Sequence, residues 1–349
     1  MIISIDASRL ATSRSPTGVE VYCREIIKGL LKQSKGLILY TPRIIKDLPR
    51  QNQRLLKWPI KKLWSQIRLA CRLAIHPPDV FFSPAYVIPF LALANKKTRK
   101  VVTIHDIAFR RLPDSYTFLR RWFLNLTTRQ AVKYVDTIIV PTGATRDDLI
   151  KYFNCPKDKI KVTHFGYNQP KTSSSQNPAP KKQILFIGRL EHKKNITNLI
   201  RAFKLFNQKY PDYQLVLAGK PGTGFKKLWF KAPGVKYLGY VSAEQKNEML
   251  NSSSCLALVS RYEGFGFPLL EAFGHSLPVL ASAIPALKEI GQSACLYVSP
   301  NSVQAIAQKM EIITQDNRLR QILITRGRQR LQDFSWQTCS RETLNLLIY

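Results

Sequence analysis

Short apolar runs recur along this chain, and each pair is separated by enough sequence for an amphipathic helix. In the first half they are Ile2–Ile5, Leu37–Tyr40, Val80–Ser83, Val101–Ile104 and Thr137–Val140. In the second they are Ile184–Gly188, Gln214–Ala218, Val235–Leu238, Cys255–Val259 and Pro278–Ala281. Between them Ile196, Leu199, Ile200, Phe203 and Phe206 follow the i, i+3, i+4, i+7 pattern of a helix, and Asn195 stands where an N-cap is expected. Strands that alternate with helices build parallel sheets through right-handed crossovers. A chain of 349 residues has room for two such units. The expected class is α/β, with two Rossmann-like domains facing each other across a cleft. Ligands of such sheets bind beyond the carboxyl ends of the strands. The boundary between the halves is legible in Asn168–Lys182, NQPKTSSSQNPAPKK, whose prolines and serines offer almost nothing to bury. It reads as a linker between a domain over residues 1–167 and a second one beginning at 183.

Charge narrows the partners rather than the fold. With 54 Lys+Arg against 22 Asp+Glu, the net charge is +32, so phosphates, nucleic acid and anionic lipid are all attracted. A non-enzymatic nucleic-acid binder is the competing class, but no recognition module stands in the sequence, so no specific nucleic-acid partner is expected. Pro59 can open a helix over Ile60 to Ala74, with Ile60, Leu63, Trp64, Ile67 and Cys71 on one stripe. Such a stripe either lies on an anionic membrane or faces the domain's own core; the core is the expectation. Even so, the charge points to a peripheral contact with an anionic membrane or to a polyanionic acceptor. The six cysteines form no CxxC pair and read as reduced, buried thiols. The N-terminus lacks a basic region followed by an apolar one. The expected location is the cytoplasm, peripherally on the inner face of the cell membrane.

The sharpest local pattern is Ser260–Glu271, SRYEGFGFPLLE, directly after an apolar run. Gly264 and Gly266 allow close approach of a ligand, and Pro268 suits the first turn of a helix. With Phe265 and Phe267 they point backbone amides at an anion. Glu263 and Glu271 bracket that site, where carboxylates accept protons from sugar hydroxyls and repel the phosphate itself. The competing reading is a glycine-rich turn with two solvated acids. In Gly188–Asn195, GRLEHKKN, Arg189 and Lys194 are placed to converge on a diphosphate, Arg189 as a planar fork and Lys194 as a point charge. His105 and Asp106 close the run VVTIHDI; a His–Asp pair suggests acid–base work, although a hydrogen-bonded structural histidine is commoner. His275 reads as a helix-end cation. No Asp-x-Asp triplet, HExxH or Cys/His cluster appears, so no metal is expected.

In order, the segments TGVEVYCREI, HDI, GRLEHKKN, LAGKPG, YLGYVS, SRYEGFGFPLLEAF and FSWQTCSRETL resemble the retaining glycosyltransferases of family 4, over most of the chain. The resemblance implies the GT-B fold, with residues 183–333 as the donor domain. It also implies a last helix, within 334–349, that returns to the first domain. The family's two glutamates, with seven residues between them, match Glu263 and Glu271. By resemblance Glu263 lies near the donor sugar's hydroxyls and Glu271 near the ribose. Arg189 and Lys194 match the diphosphate-binding pair, and Gly18 the glycine that approaches the phosphates from the first domain. Lys220, Tyr240 and Val241 match the surroundings of the nucleotide base, and His105 a histidine that contacts the donor sugar and the acceptor side. The implied partners are a nucleoside-diphosphate sugar, as donor substrate rather than cofactor, and a glycan or lipid-linked glycan acceptor. Mannose from a guanosine diphosphate donor is the leading expectation.

Overall fold

The computed structural model describes residues 1–12, 17–58, 64–85, 88–90, 97–169, 181–225 and 232–349. Most of the expected linker and the start of the helix expected from Pro59 lie outside them. The chain divides into two compact units: Met1–Arg110 with Phe118–Gly166 and Phe334–Tyr349, and Arg111–Thr117 with Tyr167–Asp333. The sequence reading put Arg111–Thr117 in the first domain. It belongs with the second, where Ser115 Oγ lies 3.2 Å from His192 Nδ1.

Each unit is built on one parallel sheet. The first contains β1 (Ile3–Asp6), β2 (Ile38–Thr41), β3 (Gln53–Leu55), β4 (Val80–Ser83), β5 (Arg99–Thr103), β6 (Thr137–Val140) and β7 (Ile160–Val162), in the order β3-β2-β1-β4-β5-β6-β7. The second contains β8 (Gln183–Ile187), β9 (Gln214–Ala218), β10 (Val235–Gly239), β11 (Cys255–Leu258), β12 (Val279–Ser282) and β13 (Cys295–Val298), in the order β10-β9-β8-β11-β12-β13. Strands β1, β4, β6, β11 and β12 are buried along their whole length. A parallel strand covered on both faces is mostly apolar, which is why these read as apolar-rich runs, with Ser4, Asp6, Ser83, Thr137 and Ser282 as buried polar exceptions. Strands β3 (QRL) and β7 (IKV) give no such signal, and β13 (CLYV) is an apolar run that the sequence reading passed over. All three are sheet edges with partly exposed residues, where an apolar run is not required.

In the second unit, the helix Ile196–Lys209 buries Ile196, Leu199, Ile200, Phe203 and Phe206 in the core around β8, β9 and β11. Asn195 takes the cap position in a left-handed conformation (φ 60°), one that asparagine tolerates. Its side chain caps nothing. Nδ2 donates to the carbonyls of Val259 (3.0 Å) and Pro300 (2.7 Å), so Asn195 ties three loops together instead.

In the first unit, the helix Trp336–Ile348 packs on the helix Gly18–Gln33, and Gln33 Nε2 donates to Ser340 Oγ at 2.5 Å. Gly166 lies against its entry: a Cβ there would come 2.2 Å from the backbone nitrogen of Trp336. Of the stripe expected on Ile60, Leu63, Trp64, Ile67 and Cys71, the first two lie outside the described residues, Trp64 is buried as expected, and Ile67 and Cys71 are not. The chain forms a π-helical turn over Ser65–Leu69 before the α-helix Ala70–Ile75. The wider turn shifts the register, so Trp64, Leu69, Ala70 and Leu73 are buried while Ile67 and Cys71 are exposed. The other five cysteines are buried, and none is in a disulfide.

Candidate active site

Four neighbouring strands of the second sheet deliver the candidate residues. Parallel pairing puts the carboxyl ends of β10, β9, β8 and β11 on one edge. Beyond them follow Tyr240 and Val241, Lys220, Arg189 and the Ser260–Glu271 segment. The turns after β8 and β9 lie against each other: Leu190 N donates to Lys220 O at 2.9 Å, and Gly222 N to Leu190 O at 2.9 Å. Only glycine fits at Gly219, since φ is +148° and a Cβ would meet Gly188 O at 1.8 Å. The stem of the exposed Arg189 passes over Gly222, where a Cβ would lie 2.9 Å from Cγ. Lys220 Nζ sits 4.8 Å from the ring centroid of Tyr240, a cation–π contact, and Tyr240 is 55% exposed. Val241 is half-buried beside it.

The SRYEGFGFPLLE segment forms the expected turn and helix, but its acids are not solvated. Glu263 is buried. Lys194 Nζ reaches its Oε1 and Oε2 at 2.6 and 2.8 Å, and Ser260 Oγ donates to Oε1 at 2.7 Å. A carboxylate at such depth requires the pairing, because an unpaired buried charge is costly. Gly266 takes a left-handed conformation (φ 98°) at the N-cap of the helix Phe267–Gly274, with Pro268 in its first turn. Phe265 is buried and meets Phe267 edge-on, at 5.1 Å between centroids. The helix N-terminus therefore opens onto the loop that holds Glu263, and its dipole favours an anion there. Three residues further along, Glu271 Oε1 accepts from Lys246 Nζ at 2.5 Å. Arg261 holds the neighbouring loop, through Nε to Asn195 Oδ1 (3.1 Å) and Nη1 to His192 Nε2 (3.2 Å).

The structure thus joins Lys194 to Glu263, while the side chain of Arg189 packs on the Gly222 loop. Sequence reasoning missed Ser260, Arg261 and Lys246. Ser260 and Arg261 open the motif itself. Lys246 lies one turn into a helix announced by its capping box, Ser242 and Gln245, a pattern that gives no hint of the carboxylate it meets. His275 was expected as a cation. It is buried, its Nδ1 lies 2.6 Å from Asn251 Oδ1, and desolvation moves its pKa down, so it is a neutral structural residue.

In the first unit, Gly18 opens the helix Gly18–Gln33, whose start is held by Glu20 reaching back to Thr17 N at 2.8 Å. Arg9 pairs with Glu20 at 2.8 Å. His105 follows β5, buried beside Tyr22 and Phe165. Its Nε2 lies 2.9 Å from Pro84 O, an acceptor, so that nitrogen carries the proton. Burial pushes its pKa to about 4, with the Pro84 hydrogen bond and Asp106 opposing. At neutral pH it is an uncharged hydrogen-bonding ring, poorly poised for proton transfer. Among the described residues, no group of three or more His, Cys, Asp or Glu is placed to hold a metal ion.

Two family models divide the chain between them. Residues 16–169 match Glycosyltransferase Family 4, and residues 168–330 match Glycosyl transferases group 1. The chain belongs to glycosyltransferase family 4. Over 295 residues this glycosyltransferase is 28% identical to the O-antigen chain mannosyltransferase B of Escherichia coli, covering 80% of this chain and 76% of that one. Among solved structures, WaaG, a glycosyltransferase involved in lipopolysaccharide biosynthesis, has a TM-score of 0.77 at 15% identity, over 99% of both chains. Anabaena Alr3699/HepE in complex with UDP-glucose has a TM-score of 0.76 at 18% identity, over 100% of this chain and 99% of that one. The fold is GT-B, with two parallel-sheet Rossmann-like domains.

Proposed function

We propose that this glycosyltransferase moves a mannose-like sugar from a nucleoside diphosphate to a glycan or lipid-linked glycan acceptor, with retention and without a metal. The observation that carries the donor site is half-buried Lys194 paired with buried Glu263 and Ser260 at the N-terminus of the helix Phe267–Gly274, with Glu271 in that same helix. Glu263 takes the sugar hydroxyls and Glu271 those of the ribose. Exposed Tyr240, with Lys220 over its ring and Val241 beside it, offers a face on which a base can stack. Arg189, Lys194 and the amides of Gly264 to Phe267 meet the negative charge that develops on the leaving diphosphate. The acceptor hydroxyl attacks on the face the diphosphate leaves, and the departing phosphate oxygen assists by taking its proton. Of the first unit's residues, Gly18 is proposed for the phosphates and neutral His105 for the sugar, to which its Nδ1 can only accept a hydrogen bond because the Nε2 proton is held by Pro84 O.

Mannose is favoured by the O-antigen mannosyltransferase relative, and a guanosine diphosphate carrier follows from that reading. The HepE neighbour carries UDP-glucose, so uridine donors belong in the test beside guanosine ones. A thermal-shift panel of nucleotide sugars decides, because a ligand that binds only the folded state raises Tm by mass action. GDP-mannose should raise it most. A larger shift with UDP-glucose would replace the donor, and no shift with any nucleotide sugar would overturn the site.

A further inference from the structure

The helix Phe118–Tyr134 of the first unit is inside out. Its buried residues are Thr127, Thr128 and Ala131. Its large apolar residues face water: Phe118 is 70% exposed, Leu119 75%, Trp122 58% and Phe123 37%. Phe118 and Trp122 stand four residues apart on one stripe, and Leu119 and Phe123 form the next. An ordinary surface helix turns such side chains to the core and its threonines to solvent. An exposed contiguous aromatic surface marks an interaction site. The element is also entirely basic. Its sequence, FLRRWFLNLTTRQAVKY, contains no Asp or Glu, and Arg120, Arg129 and Lys133 are exposed around the apolar stripes. Arg121 stacks its guanidinium 5.9 Å from the Phe118 centroid.

We propose that the Phe118–Phe123 end of this helix is a docking surface for an anionic lipid bilayer. Phe and Trp rings with Leu bury shallowly among acyl chains and headgroups, while arginine heads reach lipid phosphates along apolar stems. The basic residues add attraction to anionic lipid. Charge selects the bilayer over a second copy of this chain, since a two-fold contact through this helix would oppose two all-basic surfaces at a net charge of +32 each. No helix among the described residues is long and apolar enough to cross a membrane, so the contact is peripheral. The proposal deepens the reading of a lipid-linked acceptor, because it would hold the enzyme where such an acceptor lies. The test needs neither donor nor acceptor.

The experiment is flotation of the full chain with vesicles of phosphatidylcholine alone or mixed with phosphatidylglycerol. The parent should float with the mixed vesicles and far less with phosphatidylcholine. Trp122→Ser/Phe123→Ser should weaken binding by about tenfold or more, through lost apolar insertion. Arg120→Glu/Arg129→Glu should abolish the preference for phosphatidylglycerol. Since the replaced side chains are exposed, Tm should hold; Phe118→Ser/Leu119→Ser gives a second reading should the first pair lower it. A parent that does not float overturns the proposal. So does undiminished binding by both serine pairs, which would mean diffuse electrostatic adsorption. So does a dimeric parent that the serine pairs convert to a monomer, which would make this face an interface between copies.

Discussion

Glu263 and Glu271 belong to one motif yet meet different surroundings, and their loss should be felt differently. Glu263 is buried under Lys194 and Ser260, and its proposed partner is the sugar, whose ring changes shape and charge in the transition state. Glu263→Gln should lower kcat, because interactions that strengthen in the transition state are the ones that accelerate. It should also lower Tm, since half-buried Lys194 is left without its counter-charge. Glu271 is more exposed, is held by Lys246, and is proposed to meet the unreacting ribose. Glu271→Gln should raise the donor KM more than it lowers kcat. Steady-state kinetics with varied donor checks both; two variants that behave like the parent would remove the donor site. Arg189 is exposed and aimed by Gly222. Arg189→Ala should cost about 1.5–3 kcal/mol of donor binding, the worth of a charged hydrogen bond, with Tm unchanged in the absence of donor. Titration of the donor by calorimetry reads it.

At the scale of elements, edges and joints decide more than propensity. The last helix, Trp336–Ile348, belongs to the first unit although the second unit's sheet precedes it in the chain. Its entry is fixed by Gly166, whose missing Cβ leaves room for the backbone of Ser335 and Trp336. Trp336 then stacks toward Phe165, with centroids 6.5 Å apart, and lies 6.2 Å from Tyr22. Gly166→Ala should destabilise the protein by about 1–3 kcal/mol, because rigid backbone has to give way rather than a side-chain tip. Urea unfolding reads the loss, and an unchanged midpoint would show that the joint relaxes freely.

At the scale of the molecule, charge and protonation set the testable behaviour. The pKa of His105 is about 4 folded against 6.5 as a free side chain, because burial disfavours its cation. Between those values the unfolded chain binds the extra proton, so stability from His105 is complete above pH 6.5. It is lost as pH falls toward 4, by roughly 3 kcal/mol at most. Buried Asp6 has a raised pKa and works the opposite way, losing stability as pH rises, so the whole curve mixes the two. The difference between the parent and His105→Gln isolates the histidine. That difference in urea midpoint should change between pH 7 and pH 4.5; a constant difference would mean that the histidine titrates alike in the folded and unfolded chain. The sequence offers no Asp-x-Asp triplet, and the proposed charge partners of the diphosphate are side chains and amides. Transfer should therefore survive EDTA, and a loss restored by manganese would give the role to a metal.

The sequence by itself determined the two parallel sheets and the family. Strands buried on both faces are rich in apolar residues, and a glycine-rich turn into a helix must be spelled in neighbouring residues, so both leave local patterns. Composition determined the sign of the molecule's charge. Tertiary structure alone decided the pairings. Lys194 on Glu263 and Lys246 on Glu271 span separations of 69 and 25 residues, and no periodicity encodes which cation will meet which acid. It also decided the edge strands β3 and β7, whose place depends on neighbours rather than on their own apolarity. It decided faces as well. A π-helical turn leaves Ile67 and Cys71 of one expected stripe exposed while Trp64 is buried, and the helix Phe118–Tyr134 presents aromatics to solvent where its threonines would be expected. Spacing along a chain says which residues share a face; only packing says what that face meets.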